Sequence, residues 1–341
     1  MDPASLKTSD RKKDHIELAF QAHSGLEEND SRFEYDPLHA IHPKLDGTLP
    51  SSIAGKSLKF PIWISSMTGG TEHARKINQQ LAMICQEFGL GMGLGSCRKL
   101  IEQPELFEDF DVRDYIGDQP LYANLGIAQL EQWVQEKKSS HILSIVDRLQ
   151  ADGLIIHVNP MQEWMQEEGD RILFPPIETI QKVLDLVSFP VIVKEVGQGF
   201  GYHSLKALLE LPLAAVELGA YGGTNFALLE LMRKDNVNKE ALESLAYIGH
   251  SAEEMVDLSN LIFSENPNIL CKQLILSGGI KNFLDGYYLM QKSNIPSIYG
   301  QASQFLKYAK ADYRNLFDFV HQQTEGLKLA HAYLKIKTHI L

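Results

Sequence analysis

The stretch GLIIHVNPMQE, Gly153 to Glu163, opens as an apolar run that would bury a strand on both faces, then places His157, Asn159, Gln162 and Glu163 within seven residues. All four side chains are strong hydrogen-bonding groups. One is a carboxylate, the hard ligand that Mg2+ takes together with substrate phosphate oxygens. A lone histidine here would be an ordinary core residue. Four polar groups at the end of one core run would cost stability if left unpartnered, so the pattern predicts a site that a ligand completes. Read as a continuing strand, His157 and Asn159 point to one face and Ile156 and Val158 to the other, with Gln162 and Glu163 on the loop at the mouth. Lys194, in VIVKEVGQG, poses the same question. Inside an apolar run an ammonium needs a carboxylate partner or an anionic ligand.

Other apolar runs also end in groups that can hold a ligand. SSMTGGT supplies Ser65, Ser66, Met67, Thr68, Gly69 and Gly70, GLGSCRK supplies Arg98, and ANLG supplies Asn124. Paired glycines let backbone N–H groups approach a planar or anionic ligand, although a tight turn explains SSMTGGT equally well by itself. An arginine can fork onto a phosphate. LGAYGGTNF, LSGGIK and YGQAS then bring Gly222, Gly223, Thr224, Gly278, Gly279, Gln301 and Ala302 to the last three run ends.

These groups need a scaffold, and eight runs offer one: 60–67, 89–95, 120–126, 153–158, 190–196, 213–219, 272–278 and 295–300. Helical spacing fills the intervals, as in ARKINQQLAMICQEFG and SHILSIVDRLQADG. Apolar strands alternating with helices predict parallel strands covered on both faces. Eight units fit a closed (β/α)8 TIM barrel, whose chemistry sits at the C-terminal strand ends. A doubly wound open sheet is the alternative. Residues 1–59 are expected to form an N-terminal arm of short elements, and residues 60–341 a single catalytic domain. The stretch from 224 to 265 exceeds one crossover and predicts an inserted lid over 227–265. YRNLFDFVHQQTEGLKLAHAYL predicts a final amphipathic helix.

The chain has 341 residues, a formal net charge of -12, 44% apolar and 22% charged residues, the balance of a globular protein. The acidic balance argues against a nucleic-acid partner. Cys85, Cys97 and Cys271 show no metal-ligand spacing and predict reduced thiols of a cytosolic protein. The first residues do not form a signal peptide, and no apolar run reaches membrane-span length, so a cytoplasmic protein off the membrane is expected.

RKKDHI (11–16), MTGG (67–70), GSCR (95–98), ANLG (123–126), HVNPMQE (157–163), VKEVG (193–197), GGTNF (222–226) and SGGI (277–280) occur in the order seen in type 2 isopentenyl-diphosphate isomerases, which they resemble. That family consists of FMN-dependent barrels that shift a proton between isopentenyl and dimethylallyl diphosphate. They need reduced FMN, Mg2+ and NADPH or another reductant. The resemblance implies that Met67, Thr68, Gly69, Ser96, Asn124, Lys194, Thr224, Gly278, Gly279, Gln301 and Ala302 contact FMN, with Lys194 at the pyrimidine edge. It implies that Glu163 holds Mg2+, that His157, Asn159 and Gln162 line the substrate, and that Arg98, Arg11 and Lys12 bind its diphosphate. His157, Asn159, Gln162 and Lys194 are the implied catalytic groups, in a homo-oligomer of four or more chains. Cys97 stands where the family carries Gln, and the lid segment YIGHSAEEM departs from the family pattern, so His250 and Ser251 receive no role. Rival readings on the same barrel are weaker. A 2-hydroxy acid oxidase needs a catalytic His and Arg that LGAYGGTNF does not offer. A nucleotide oxidoreductase using Cys97 as nucleophile lacks a Gly-rich flap. A non-catalytic flavin-binding scaffold would leave the polar groups of 157–163 without purpose.

Overall fold

The structure, a computed structural model, describes residues 3–66, 72–233 and 239–337. The chain enters through the helix Pro3–Leu18, and residues 11–29 are exposed throughout. Strand β1 (Phe33–Tyr35) follows, then the hairpin of β2 (Ser51–Ile53) and β3 (Lys56–Leu58). The hairpin turns through Ala54 and Gly55, both at positive φ.

The barrel strands are β4 (Ile62–Ile64), β5 (Gly91–Gly93), β6 (Leu121–Gly126), β7 (Gly153–Val158), β8 (Val191–Glu195), β9 (Ala215–Glu217), β10 (Leu274–Ser277) and β11 (Ser297–Gln301). They pair in parallel and close, β11 returning to β4. Seven of the predicted runs contain their strand whole, β11 extends one residue past the run 295–300, and closure excludes the open sheet. The runs read as continuously apolar because one face packs on helices and the other fills the barrel interior. Inside, Trp63, Tyr122, Ile155, Ile192, Ala215, Ile275 and Ile298 form one apolar cluster with Ile53 and Leu58 of the hairpin. Part of the predicted arm therefore plugs the N-terminal end of the barrel.

The chain end is tied back to its start. After the helix Tyr313–Tyr333, strand β12 (Leu334–Ile336) pairs antiparallel with β1. The predicted lid is helical: Phe226–Arg233, Lys239–Ala246 and Ala252–Glu265, with residues 234–238 outside the described set. It is also docked. Gln198 Nε2 donates to the Ile248 carbonyl at 2.8 Å, and the His250 amide donates to the Gln198 carbonyl at 2.8 Å. No described helix is long and apolar enough to cross a membrane.

Because residues 11–29 are exposed, deleting residues 1–15 should leave unfolding stability within about 0.5 kcal/mol of the full chain. Urea denaturation of both forms checks this. A deletion that fails to fold would show that the helix is structural.

Candidate active site

The register builds a polar layer directly above the apolar plug. His157 pairs with Gly126 on one side and Lys194 on the other, and Lys194 pairs with Glu217. Each stands two positions beyond an interior residue, Ile155, Ile192 or Ala215. The strand period of two therefore turns all three toward the barrel axis at its C-terminal end.

Asn124 fixes the histidine. Its Nδ2 donates to the Leu94 carbonyl at 3.0 Å, which leaves Oδ1 facing His157 Nδ1 at 2.8 Å. That acceptor requires the proton on Nδ1, so Nε2 carries the lone pair. A Cβ on Gly126 would come within 2.8 Å of Nε2, so only glycine leaves room for the ring. Burial, with the positive charges of Lys194 and Arg98, lowers the His157 pKa to about 3. Below the ordinary value of 6.5 the unfolded chain takes up a proton that folded His157 refuses. Its contribution to stability is complete above that value and is lost as the pH falls from there toward about 3. His157→Gln should therefore flatten the fall in unfolding stability between about pH 6.5 and pH 5. Urea denaturation across that range is the check, and an unchanged slope would mean that His157 titrates normally.

Strand β7 stops at Val158, where the predicted run ends, so the alternation does not carry on to Asn159. Asn159 has φ -138° and ψ 48° and caps the short helix Pro160–Met165. Proline at the first helical position suits that start. Gln162 and Glu163 thus lie on a helix rather than a loop, and Asn159 reaches them through the turn. Asn159 Nδ2 donates to Glu163 Oε1 at 2.9 Å and to Gln162 Oε1 at 3.2 Å. Glu163 Oε2 accepts from the Asp170 amide at 2.9 Å. Each carboxylate oxygen so keeps a lone pair for a cation. Among the described residues no group of three or more His, Cys, Asp or Glu is arranged around a metal, so a cation here would draw its other ligands from substrate and water.

Gln162 Nε2 also donates to Glu230 Oε1 at 3.3 Å, and Arg233 pairs with Glu230 Oε2 at 2.5 Å. Sequence reasoning missed Glu230. Its signal was a carboxylate inside the apolar helix FALLELMR, where it is buried. Arg98 faces this group and pairs with Asp170 at 3.1 Å.

Two cavities share the polar layer. One is lined by Ser96, Arg98, Gly126, His157, Asn159, Gln162 and Glu163. The larger, about 860 Å3 including its open mouth, runs from Lys194 and Glu217 past Thr224 to Gly278, Gly279, Gln301 and Ala302. Gly278 has φ +93°, and a Cβ there would lie 2.1 Å from the Ala220 carbonyl oxygen. The turn after β10 therefore requires glycine. The helix Ser303–Ala311 starts at the same end of this cavity. Lys194, itself buried, donates from Nζ to the Glu195 carbonyl at 2.8 Å. Glu195 turns away, its Oε2 accepting from the amides of Gly197, Gln198 and Gly199 at 2.6, 2.6 and 2.9 Å.

The structure thus brings Ser96, Arg98, His157, Asn159, Gln162 and Glu163 to one cavity and Lys194, Thr224, Gly278, Gly279, Gln301 and Ala302 to the other. Asn124 is buried beneath them as the support of His157. Arg11 and Lys12 are exposed on the first helix. Met67, Thr68 and Gly69 lie outside the described residues. Cys97 is buried with its thiol pushed up to about 12 by desolvation, which removes it as a nucleophile.

Over most of its length the chain is similar to known proteins. An isopentenyl-diphosphate delta-isomerase of Rickettsia peacockii is 35% identical over 326 residues, covering 94% of this chain and 92% of its own. One of Rickettsia typhi is 34% identical over 307 residues, 88% of this chain and 86% of its own. The chain belongs to the isopentenyl-diphosphate delta-isomerase family. No family model matches it. Among solved structures, a flavocytochrome b2 variant with sulfite bound aligns at TM-score 0.61 and 10% identity, covering 88% of this chain and 72% of that one. A mandelate oxidase variant with a monooxide FMN adduct aligns at TM-score 0.53 and 13% identity, covering 98% and 99%. At such identities these two share the barrel fold with this isopentenyl-diphosphate delta-isomerase family member, and nothing finer.

Proposed function

We propose that this isomerase interconverts isopentenyl and dimethylallyl diphosphate by a 1,3-proton shift, with reduced FMN in the larger cavity and Mg2+ on the substrate diphosphate in the smaller. The observation that carries the reading is the pair of adjoining cavities with opposite equipment. The larger has glycine turns after β9 and β10 and a helix start after β11, the usual phosphate-binding end of this fold. Its deep end has a buried lysine. The smaller has an arginine, the Glu163 carboxylate with free lone pairs, and amide and imidazole groups that include His157, Asn159 and Gln162.

The chain's own groups divide the work. Gly278, Gly279, Ala302 and Thr224 hold the cofactor phosphate and its approach, and Lys194 presents a cation to the ring edge. Arg98 binds the diphosphate as a fork, exchanging Asp170 for phosphate oxygens. Glu163 supplies the single protein carboxylate that Mg2+ needs beside phosphate oxygens. His157, neutral and with its lone pair on Nε2, positions the substrate without adding positive charge beside a developing carbocation-like centre. Gln162, oriented by Asn159 and Glu230, stands at the same cavity and aligns the hydrocarbon tail. When bound and reduced, FMN supplies electron density that stabilises the cation-like centre and helps move the proton.

NADPH serves as the starting reductant in this reading. Exposed Ile16, Phe20, Leu26, Leu38, Ile41 and Leu45 support self-association, since so much uncovered apolar surface favours a partner, and the number, four or more chains, rests on the family resemblance. Cytoplasmic residence fits the buried free thiols. A hydroxy acid oxidase is disfavoured because the β9 loop LGAYGGTNF carries neither histidine nor arginine. The test is an anaerobic isomerase assay with and without reduced FMN, repeated after removing Mg2+ with a chelator. Isomerisation that needs both, with NADPH use far below one equivalent per product, supports the reading. Stoichiometric NADPH oxidation overturns it.

A further inference from the structure

Glu217 ends strand β9 in register with Lys194, and it is 0% exposed. Among the described residues neither of its carboxylate oxygens has a hydrogen-bond partner. A buried carboxylate left so is costly, yet it lines the larger cavity. It is not alone there: Ser65 Oγ and Gln301 Oε1, both buried, also have no partner among the described residues and line the same cavity.

Every one of these atoms is an oxygen that accepts. The complement is a ligand segment rich in donors at this depth. A phosphate has none to give at neutral pH and would be repelled by Glu217. A flat ring offers few. A chain of neighbouring hydroxyls offers a donor at each carbon, and each hydroxyl can also accept from Ser65. We propose that Glu217, with Ser65 and Gln301, forms a polyol subsite that accepts hydrogen bonds from the ribityl chain of FMN. The subsite lies between Lys194 at the ring end and the glycine turns at the phosphate end. The inference rests on the proposed use of FMN. It makes Glu217 a cofactor-binding residue that the sequence reading passed over.

The test measures FMN affinity of the full chain by flavin fluorescence, for wild type, Glu217→Gln and Glu217→Leu. It repeats each with FMN analogues that each lack one ribityl hydroxyl. Loss of a charge-assisted hydrogen bond should weaken FMN binding about tenfold or more in both variants. The wild type should reject at least one deoxy analogue by a similar factor, while the variants bind that analogue no worse than FMN. Without cofactor, Glu217→Gln should melt at or above the wild-type temperature, because an unpartnered buried charge has been removed. Unchanged FMN affinity in Glu217→Gln overturns the inference. So does equal weakening of FMN and every analogue together with a lower melting point, the pattern of a structural residue. A wild-type protein that binds no FMN would instead sink the proposed function itself.

Discussion

Lys194→Ala is expected to lose isomerase activity by several orders of magnitude while keeping the barrel. Lys194 is buried at the barrel axis and its one described hydrogen bond goes to the neighbouring Glu195 carbonyl. That bond leaves most of an ammonium's donor capacity, and its whole charge, available to the cavity. Beside an anionic reduced flavin the charge would favour the anion over the neutral reduced form. Removing it should raise the pKa of the reduced cofactor and make reduction less favourable, seen as a lower midpoint potential. Activity falls because both the reactive form and the preorganised charge are lost. Lys194→Arg should restore a small part only, since a planar fork does not replace a compact ammonium packed between strands. A normal potential and a normal rate in Lys194→Ala would remove the lysine from this role and leave the isomerase reading standing.

Glu163→Gln should have the second largest effect, a steep rise in the Mg2+ concentration needed for activity with FMN binding nearly unchanged. The carboxylate accepts from Asn159 through one oxygen and from the Asp170 amide through the other. A glutamine can accept from only one of them, so the substitution removes the metal's anionic ligand and loosens the turn carrying Asp170. Asp170 is the partner of Arg98, so diphosphate affinity should also weaken. Glu163→Asp separates the causes: it keeps the charge on a shorter stem and should retain more Mg2+ affinity than the amide. Titration of metal and of diphosphate in each variant reads both effects. An unchanged Mg2+ requirement in Glu163→Gln would take the residue out of metal binding.

Much of the fold was legible because it depends on local, repeated information. Eight apolar runs separated by helical spacing located all eight barrel strands, seven of them whole and β11 to within one residue, and the helix Tyr313–Tyr333 follows from its amphipathic period. The glycine turns were legible for a similar reason: Gly278 is fixed by a backbone angle and a close approach that no other residue tolerates. The polar groups of 157–163 and Lys194 stood out because charge and amide groups in apolar runs need a partner.

Closure of the barrel, by contrast, is a pairing of β11 with β4 across most of the chain, and no periodicity records a partner that far away. The same holds for the hairpin that plugs the barrel and for β12 returning to β1. Asn159, read as continuing the alternation past the run 153–158, lies beyond the strand, because alternation cannot show where a strand stops. Its φ and ψ come from the turn into Pro160, which hydrogen bonds to Gln162 and Glu163 stabilise. The neutral state of His157 is likewise tertiary, set by burial and by cations brought from two other strand ends. Glu217 and Glu230 were ambiguous in the sequence for one physical reason. A carboxylate in an apolar stretch can be surface or core, and only the packing of neighbouring strands and helices decides whether water or a ligand must satisfy it.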